Sequence, residues 1–533
     1  MNFMTNKINN VILCFLIVYS IFCALTIGVS WDELAHLDRG NERLKYLFSF
    51  GAYDYLDYRD QRFYPGFYNT FVTFVTKMFP KKYEIETLHL TNLLFSFFTI
   101  FGISKISSEL FDKKVGKIVF ILCFLNPIFF GHTAINQKDM IVAFSNIWVT
   151  YLIIRYLRNQ QISDKRNRYV IFAGLATGLG LGVRIVFLSS LLPIIIISIL
   201  DIFLLKKIIN KNFSYKKLII DIFKVFVISY IILISFWPDT HPNIFILPFK
   251  LFFESLSNPF GVPFSLLNGN FYMTSETPKS YLIINLLYKL PEFILLCYLL
   301  FIYLIIKKKS FFNSRFKFFN TKLILLLFII IFPNILLIIS PYRIFDGLRL
   351  FLYLIPYICI IPGLTIYFLI INYKNYISKI LLVSVFSLFI YNLLIFFSLT
   401  PYQYTYLNIL NGDFSEAHKK FENDYWVVTL KELVNEISNN KNLINNSEIK
   451  IAFCGVAYRN VKPYLEKINN LKFKQVNYLT EDYEYIIMTN RSVGNPDLNK
   501  LTEVETCFEK FKGIDVITVN RNGLVLSTLR KKI

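Results

Sequence analysis

Apolar segments recur along the first four hundred positions, and each is long enough to cross a lipid bilayer. A helix needs about 20 apolar residues to span about 30 Å of hydrocarbon. The composition agrees, because 55% of the 533 residues are hydrophobic, 18% are aromatic and the mean hydropathy is +0.48. A soluble domain carries about 45–50% apolar residues. The chain is therefore predicted to be a mainly α-helical, polytopic membrane protein.

The apolar segments predict about eleven transmembrane helices. The segment after Lys7 lacks a small-residue cleavage site, which favours an uncleaved helix over a signal peptide. The segment 168–205 is too long for one crossing and is interrupted around Gly178–Arg184, so it is assigned two helices. The predicted spans lie near residues 11–29, 86–108, 115–133, 140–157, 168–205, 218–236, 281–306, 323–340, 350–372 and 378–398.

Basic residues indicate the orientation of these helices. The net charge is +21, from 57 basic and 36 acidic residues. If the helix count holds, the basic clusters all fall in loops on one side, which the positive-inside rule makes cytoplasmic. The other side receives loops 30–85, 134–139, 237–280 and 341–349 and the C-terminal part. The sequence thus predicts a multi-pass protein of the inner (plasma) membrane with a cytoplasmic N-terminus. No basic, aromatic-interleaved module indicates a nucleic-acid partner.

The composition changes near residue 399, so we expect a transmembrane domain at 1–398 and a periplasmic α/β domain at 399–533. Alternating strand and helix patterns favour the α/β assignment, although no phosphate-binding glycine loop or nucleophile elbow is present. The predicted strands are Ile449–Cys454, Val476–Leu479, Tyr485–Met488 and Val516–Val519, and the predicted helices are 429–440, 461–468 and 501–508. Cys454 and Cys507 could pair if this part is extracytoplasmic. Asn445-Asn446-Ser447 and Asn490-Arg491-Ser492 fit the glycosylation sequon, which also arises by chance.

Charged residues gather on the face predicted to be extracytoplasmic. Asp32 and Glu33 follow the first span and begin a juxtamembrane helix predicted at 31–50, and Lys138-Asp139 opens the fourth span. Ionisable residues at a membrane edge are costly and count as functional candidates. A carboxylate can accept a proton from an attacking hydroxyl, and Arg or Lys can stabilise a departing phosphate. The remaining candidates are His36, Arg184, Arg343, Asp346 and Arg349.

Structural roles compete with these functional ones. Glu33 could form a capping box with Ser30, and Asp32 could pair with a neighbouring cation on its own helix. Asp139 could simply begin a helix, and Arg184 could pair with an acid across the bundle. Lys138 and Arg349 could extend to lipid head groups.

The order of these groups resembles the GT-C superfamily, and more closely its family 39-type branch of protein O-mannosyltransferases and aminoarabinose–lipid A transferases. The resemblance covers about residues 1–430 and includes an Asp-Glu pair after the first helix, a short loop before the fourth and a large loop after the seventh. The similar stretches are Phe129-Phe130-Gly131-His132 with Asn136, Lys138 and Asp139; Tyr342-Arg343 with Asp346-Gly347-Leu348-Arg349; and Pro401-Tyr402-Gln403-Tyr404 with Asp424-Tyr425-Trp426.

The resemblance implies an inverting membrane glycosyltransferase that uses a polyprenyl-phosphate sugar, without a cofactor or a metal for transfer. It implies that Asp32 is the base, that Glu33 supports it and that Asp139 is the second acidic residue. Here the second motif is Lys-Asp rather than another Asp-Glu pair. The implied substrate contacts are Lys138, Arg343 and Arg349, and His36, Arg184 and Asp346 complete the candidate set. The C-terminal part does not resemble the β-trefoil of the eukaryotic mannosyltransferases, so a protein acceptor is not implied.

The prediction is transfer of a sugar from a membrane lipid donor to an extracytoplasmic glycan, lipid or protein. The alternative is a transporter or flippase of a lipid-linked or small polar substrate. A transporter is expected to show inverted repeats and polar groups near the bilayer midplane. The polar groups here gather at one edge, which favours the enzyme.

Overall fold

The chain forms a helical bundle followed by a small mixed sheet. The structure, a computed structural model, describes residues 2–54, 61–209, 212–255, 261–339, 343–440, 443, 448–469, 471–494 and 501–533. The helices up to residue 398 are α1 (Asn2–Thr26), α2 (Glu33–Phe48), α3 (Phe67–Thr76), α4 (Glu84–Leu110), α5 (Lys113–Phe124), α6 (Pro127–His132), α7 (Asp139–Asn159), α8 (Ser163–Leu181), α9 (Phe187–Leu200), α10 (Tyr215–Ser235), α11 (Leu247–Ser255), α12 (Tyr281–Lys289), α13 (Glu292–Arg315), α14 (Phe319–Ile339), α15 (Leu354–Ile358), α16 (Ile360–Ile371) and α17 (Tyr376–Ser398).

Every predicted span falls on helix, but two spans are interrupted. Residues 115–133 divide into α5 and α6 because Asn126 caps a new helix, its side chain accepting a hydrogen bond from the backbone N–H of Phe129 at 3.0 Å. The helices α12 and α13 meet at an angle of 110°. Among the described residues seven helices are long and apolar enough to cross a membrane, and this bent pair would add an eighth. The first helix counts only as a shorter apolar one, so the prediction of eleven crossings is not confirmed.

The centre of the bundle is mostly apolar. Residues 354–371 form its middle, with 83% of that span buried, whereas 17% of α10 and of α17 is buried. The outer helices present exposed Ile, Leu, Val and Phe side chains. A helix that is apolar on all sides is stable at such a surface only when lipid covers it. This multi-pass architecture agrees with the predicted class.

The C-terminal segment (residues 399–533) carries a five-stranded sheet. Its helices are α18 (Leu430–Asn439), α19 (Tyr458–Leu465) and α20 (Cys507–Lys510). The sheet has the order β4 (Phe473–Gln475), β3 (Ile449–Cys454), β5 (Tyr485–Thr489), β9 (Leu524–Lys531) and β8 (Ile514–Arg521). The first three strands are parallel, and β9 runs antiparallel to both of its neighbours. A mainly helical membrane protein with a small C-terminal sheet is the predicted fold class, and it is confirmed.

Some local predictions need correction. Residues 476–479 are not a strand, because β4 ends at Gln475. The helix predicted at 501–508 is instead a short turn and a two-residue strand, followed by the start of α20. Two further strands, β1 (Phe264–Leu267) and β2 (Asn270–Met273), form a hairpin in the loop 237–280. The pair β6 (Ser492–Val493) and β7 (Glu505–Thr506) forms a second small sheet.

Cys454 and Cys507 form a disulfide that closes a sequence separation of 53 residues. The sequon at Asn490 is buried, since this side chain is 1% exposed and donates to the carbonyl oxygens of His418 and Phe421. An oligosaccharide cannot be attached there in the folded chain. The sequon at 445–447 and residues Pro341 and Tyr342 of the motif lie outside the described residues.

Candidate active site

One arginine joins the acidic residues that the sequence brings from distant positions. The Arg349 guanidinium contacts Asp32 Oδ2 at 2.7 Å through one terminal nitrogen and Asp346 Oδ2 at 2.9 Å through the other. Its Nε contacts Asp139 Oδ2 at 3.3 Å. The guanidinium also lies over the Trp426 ring, 4.1 Å from its centroid. Three carboxylates therefore meet around one cation at a single end of the bundle.

Local structure positions each of these carboxylates. Asp32 is the residue before α2, and its side chain makes no capping hydrogen bond, which leaves it available to Arg349. Asp139 begins α7 and is bracketed by Asn136, which accepts from its backbone N–H at 3.0 Å and donates to its Oδ2 at 3.1 Å. Asp346 and Gly347 both have positive φ, at 57° and 64°, in a tight turn. Such a turn favours glycine at the second position, where an added Cβ would also meet Lys289 Nζ at 2.1 Å.

The close contacts keep Asp32 ionised. Burial raises the pKa of this carboxyl, but the Arg349 guanidinium and the Lys138 ammonium outweigh burial and hold the pKa well below its usual value. Burial lowers the pKa of Arg349, and its three carboxylate neighbours reverse that effect and raise it. Asp32 is nevertheless accessible, because its side chain is 28% exposed. It is a carboxylate that a substrate can reach.

Asp32 and Arg349 line a cavity of about 1010 Å³ between the bundle and the C-terminal segment. Lys138, Arg184 and Asp346 line the same cavity. A second cavity of about 260 Å³ adjoins it, since Tyr64 and Arg184 line both. Asp139 lines the second cavity, whose other walls are mostly apolar residues from α7, α9 and α14. A polar chamber thus meets an apolar groove between membrane helices.

Glu33 and His36 lie behind the cavity wall. Glu33 is fully buried, contacts His89 Nε2 at 3.0 Å and accepts from the backbone N–H of Ser30 at 2.6 Å. Only half of the expected capping box forms, because the Ser30 hydroxyl donates to the carbonyl oxygen of Ile135. His36 Nδ1 contacts Gln137 Oε1 at 3.1 Å. Both residues pack α2 against the bundle and do not line the cavity.

The candidate cations differ in their surroundings. Lys138 is 8% exposed, and its ammonium lies 4.3 Å from the centroid of the Tyr64 ring. Burial lowers the pKa of Lys138 to about 7; Asp32 opposes this effect, while Arg184 adds to it. Arg184 contacts Asp139 Oδ1 at 3.4 Å and also lines both cavities, so it is both a partner of an acid and a cavity residue. Arg343 is half-buried and is not part of the cavity lining.

No sequence pattern indicated that the C-terminal segment would contribute a charged residue to this site. Arg491 lines the cavity, is 8% exposed and contacts Asp346 Oδ1 at 2.6 Å. Behind it, Glu422 lies 3.7 Å away. The sequence of Asn490-Arg491-Ser492 indicated only a sequon. No local pattern predicts that Arg491 contacts Asp346, which lies 145 positions earlier.

Within the described ranges no group of three or more His, Cys, Asp or Glu side chains is placed to hold a metal ion. The charged groups of the site are arranged as alternating carboxylates and guanidinium groups. Such a network can bind a phosphate through its arginines and accept a proton through its carboxylates.

Comparison with known proteins shows what the chain is similar to. Residues 65–233 match the family model described as dolichyl-phosphate-mannose-protein mannosyltransferase. The fold of the whole chain is similar to that of ArnT from Cupriavidus metallidurans in the apo state, with a TM-score of 0.52 and 13% identity over 99% of this chain and 98% of that one. The family model matches about a third of the chain, and the shared fold agrees with the resemblance that the motifs indicated: the chain is a multi-pass membrane protein with an ArnT-like fold.

Two other solved structures are similar over most of the chain. ArnT from Cupriavidus metallidurans bound to undecaprenyl phosphate aligns with a TM-score of 0.49 and 11% identity, over 98% of each chain. The oligosaccharyltransferase AglB from Archaeoglobus fulgidus, in complex with an inhibitory peptide and a dolichol-phosphate, aligns with a TM-score of 0.48 and 12% identity, over 89% of this chain and 69% of that one. No curated protein sequence matches the chain.

Proposed function

We propose that this membrane glycosyltransferase transfers a sugar from a polyprenyl-phosphate donor to an extracytoplasmic acceptor. One observation carries the proposal: Asp32, Asp139 and Arg349 are in contact where a polar chamber meets an apolar groove. A lipid-linked sugar has the same two parts, a charged sugar phosphate and a hydrocarbon chain.

The donor class agrees with the family model, whose description names a dolichyl-phosphate sugar. In the proposed complex the polyprenyl chain lies in the groove lined by α9 and α14, and the phosphate reaches the junction of the two cavities. Arg184 lines both cavities there, and Lys138 lies on the adjoining wall. Arginine is well suited to phosphate because it can donate two parallel hydrogen bonds.

The proposed reaction is a direct displacement at the anomeric carbon. The acceptor oxygen forms a bond to C1 of the sugar while the bond between C1 and the phosphate oxygen breaks, which inverts the configuration. The acceptor proton passes to Asp32, and the electron pair of the broken bond leaves with the polyprenyl phosphate. Arg349 and Lys138 stabilise the charge that develops on this leaving group.

Donor binding also activates Asp32 in this mechanism. In the structure Arg349 pairs with Asp32 at 2.7 Å, which makes the carboxylate a weak base. A phosphate at the junction competes for the same guanidinium, so the pKa of Asp32 rises when the donor is present. The base then becomes effective only in the complex.

We place the cavity and the C-terminal segment on the periplasmic side of the inner membrane. The bias of basic loop residues supports this orientation. The Cys454–Cys507 disulfide supports it too, because such bonds persist in oxidising compartments. The charged groups lie at helix ends and not at the bilayer midplane, which favours the transferase over a transporter.

The proposal is tested with purified protein in liposomes that contain one undecaprenyl-phosphate sugar and a lipid or glycan extract of the host envelope. We expect acceptor-dependent release of undecaprenyl phosphate, measured by mass spectrometry, and a product with inverted anomeric configuration. The control omits the acceptor extract. Absence of release with a panel of hexose and pentose donors, together with an unchanged envelope in a deletion strain, would contradict the proposal.

A further inference from the structure

The C-terminal segment completes the active site. We propose that Arg491 is a positioning residue, which holds Asp346 and thereby fixes Arg349 against Asp32. This inference rests on the proposed function for its kinetic consequences, although the contacts themselves do not depend on it. Arg491 has no role in the motifs that indicated the class.

Asp346 is a bridge between two arginines. Its Oδ1 accepts from Arg491 at 2.6 Å and its Oδ2 from Arg349 at 2.9 Å. The Asp346 side chain is 1% exposed, so water cannot replace either partner. Each guanidinium therefore sets the position of the other through a shared carboxylate.

The backbone on both sides of Arg491 is fixed. Asn490 accepts from the backbone N–H of Asn423 at 3.1 Å, and the carbonyl oxygen of Arg491 accepts from the N–H of Cys507 at 2.9 Å. Gly455, with φ of 67°, lies beside the arginine, and an added Cβ there would meet Arg491 Cβ at 2.8 Å. The disulfide partner Cys454 immediately precedes that glycine. The arginine is thus anchored by the strand ends and the disulfide of the C-terminal segment.

Removal of the Arg491 charge would change the balance of positive and negative charges around Arg349. Asp346 and Glu422 would then be buried acids with one fewer cation nearby, and a buried charge that loses its partner is strongly unfavourable. Asp346 would draw Arg349 toward itself and away from Asp32. The base would lose its orientation, although neither Asp32 nor Arg349 had been changed.

The test compares Arg491→Gln and Arg491→Lys with Arg521→Gln. Arg521 is a matched control because it also joins positions that are far apart in the sequence, donating to Glu432 at 2.6 Å and to the carbonyl oxygen of Thr400 at 2.8 Å, away from the cavity. We expect kcat of Arg491→Gln to fall about 100-fold, because small misplacement of catalytic groups has effects of that size. The donor KM should stay within about threefold, and the lysine variant should recover part of kcat.

Hydrogen–deuterium exchange provides a readout that needs no substrate. The backbone N–H of Gly347 donates to the Tyr281 hydroxyl at 2.8 Å, so this turn is protected while Asp346 is held. We expect exchange of residues 346–351 to be about tenfold faster in Arg491→Gln and unchanged in Arg521→Gln.

Three results would overturn the inference: a kcat of Arg491→Gln within twofold of wild type, an equal loss in Arg521→Gln, or an effect confined to KM. An inactive wild-type protein would instead contradict the proposed function. In that case the exchange measurement alone tests the role of Arg491. Unchanged exchange of residues 346–351 would show that Arg491 does not position the loop.

Discussion

Arg349 is surrounded by more carboxylate charge than a structural ion pair requires. Asp32, Asp139 and Asp346 all contact it, and Trp426 covers one face of the guanidinium. A cation that is to bind a phosphate must be kept in place before the phosphate arrives, and the acids do this.

Lys138 gives the site a pH dependence near neutrality. Its pKa of about 7 means that the ammonium form is present below that pH and is lost above it. Because a neutral amine cannot stabilise a phosphate by charge, we expect kcat/KM for the donor to fall by about fivefold between pH 7 and 8. The measurement is a pH–rate profile in liposomes. Lys138→Arg should remove this decline, and a profile that is flat in wild type would contradict the role of Lys138.

The sequence identified the charged residues of the bundle that form the site, but it did not identify which residues they contact. Asp32 and Asp139 were identified because carboxylates at membrane edges are costly. Each of them lies more than 200 positions before Arg349 in the sequence, and no local sequence rule predicts that they contact it. Arg491 and Glu422 lie in polar sequence, where charged residues are ordinary, so only the fold shows that they are buried.

At the scale of elements, Glu33 and His89 join α2 to α4. The carboxylate contacts the imidazole at 3.0 Å in the absence of solvent, with both side chains at most 1% exposed. This contact indicates that Glu33 stabilises the position of α2 and thereby the position of Asp32. The resemblance implies that Glu33 supports the base. This support would then consist of holding α2, and with it Asp32, in place.

Glu33→Gln should lower the stability of the protein by about 2 kcal/mol, because a charge-assisted hydrogen bond between buried groups is lost. Thermal unfolding in detergent measures this effect, and activity per folded molecule should fall less than in Asp32→Asn. The comparison variant is Glu42→Gln, on the same helix, whose carboxylate pairs with the exposed Lys45. A Glu33→Gln protein with wild-type stability and no activity would instead assign Glu33 to catalysis.

Two hairpins have turn sequences that are enough to predict them. Asn268-Gly269 connects β1 to β2, and Asn522-Gly523 connects β8 to β9, with positive φ at all four residues. Asn-Gly between apolar segments is a strong hairpin signal. Strand β9 was missed because Ser527 and Thr528 interrupt its apolar pattern, yet both are buried in the fold.

For the whole molecule, the predicted orientation determines which compartment supplies the acceptor. Cysteine substitutions at positions 479 and 309 test this orientation, since Leu479 is 73% exposed in the C-terminal segment and Lys309 is exposed in the basic C-terminal part of α13. In a Cys14→Ser background, Leu479→Cys should react with a membrane-impermeant maleimide in cells whose outer membrane is permeabilised. Lys309→Cys should react only after the inner membrane is opened. The reverse pattern would invert the assigned topology.

The central claim is that Asp32 is the base, and single-turnover transfer by Asp32→Asn tests it most directly. Asp38→Asn is the control on the same helix, because Asp38 is 63% exposed and pairs with Arg459 away from Arg349. We predict that Asp32→Asn slows transfer by about 10³-fold, while the variant stays folded and binds undecaprenyl phosphate at least as tightly as wild type, because Asp32 no longer competes for Arg349. Asp38→Asn should transfer at the wild-type rate. Transfer by Asp32→Asn within tenfold of wild type would contradict the account.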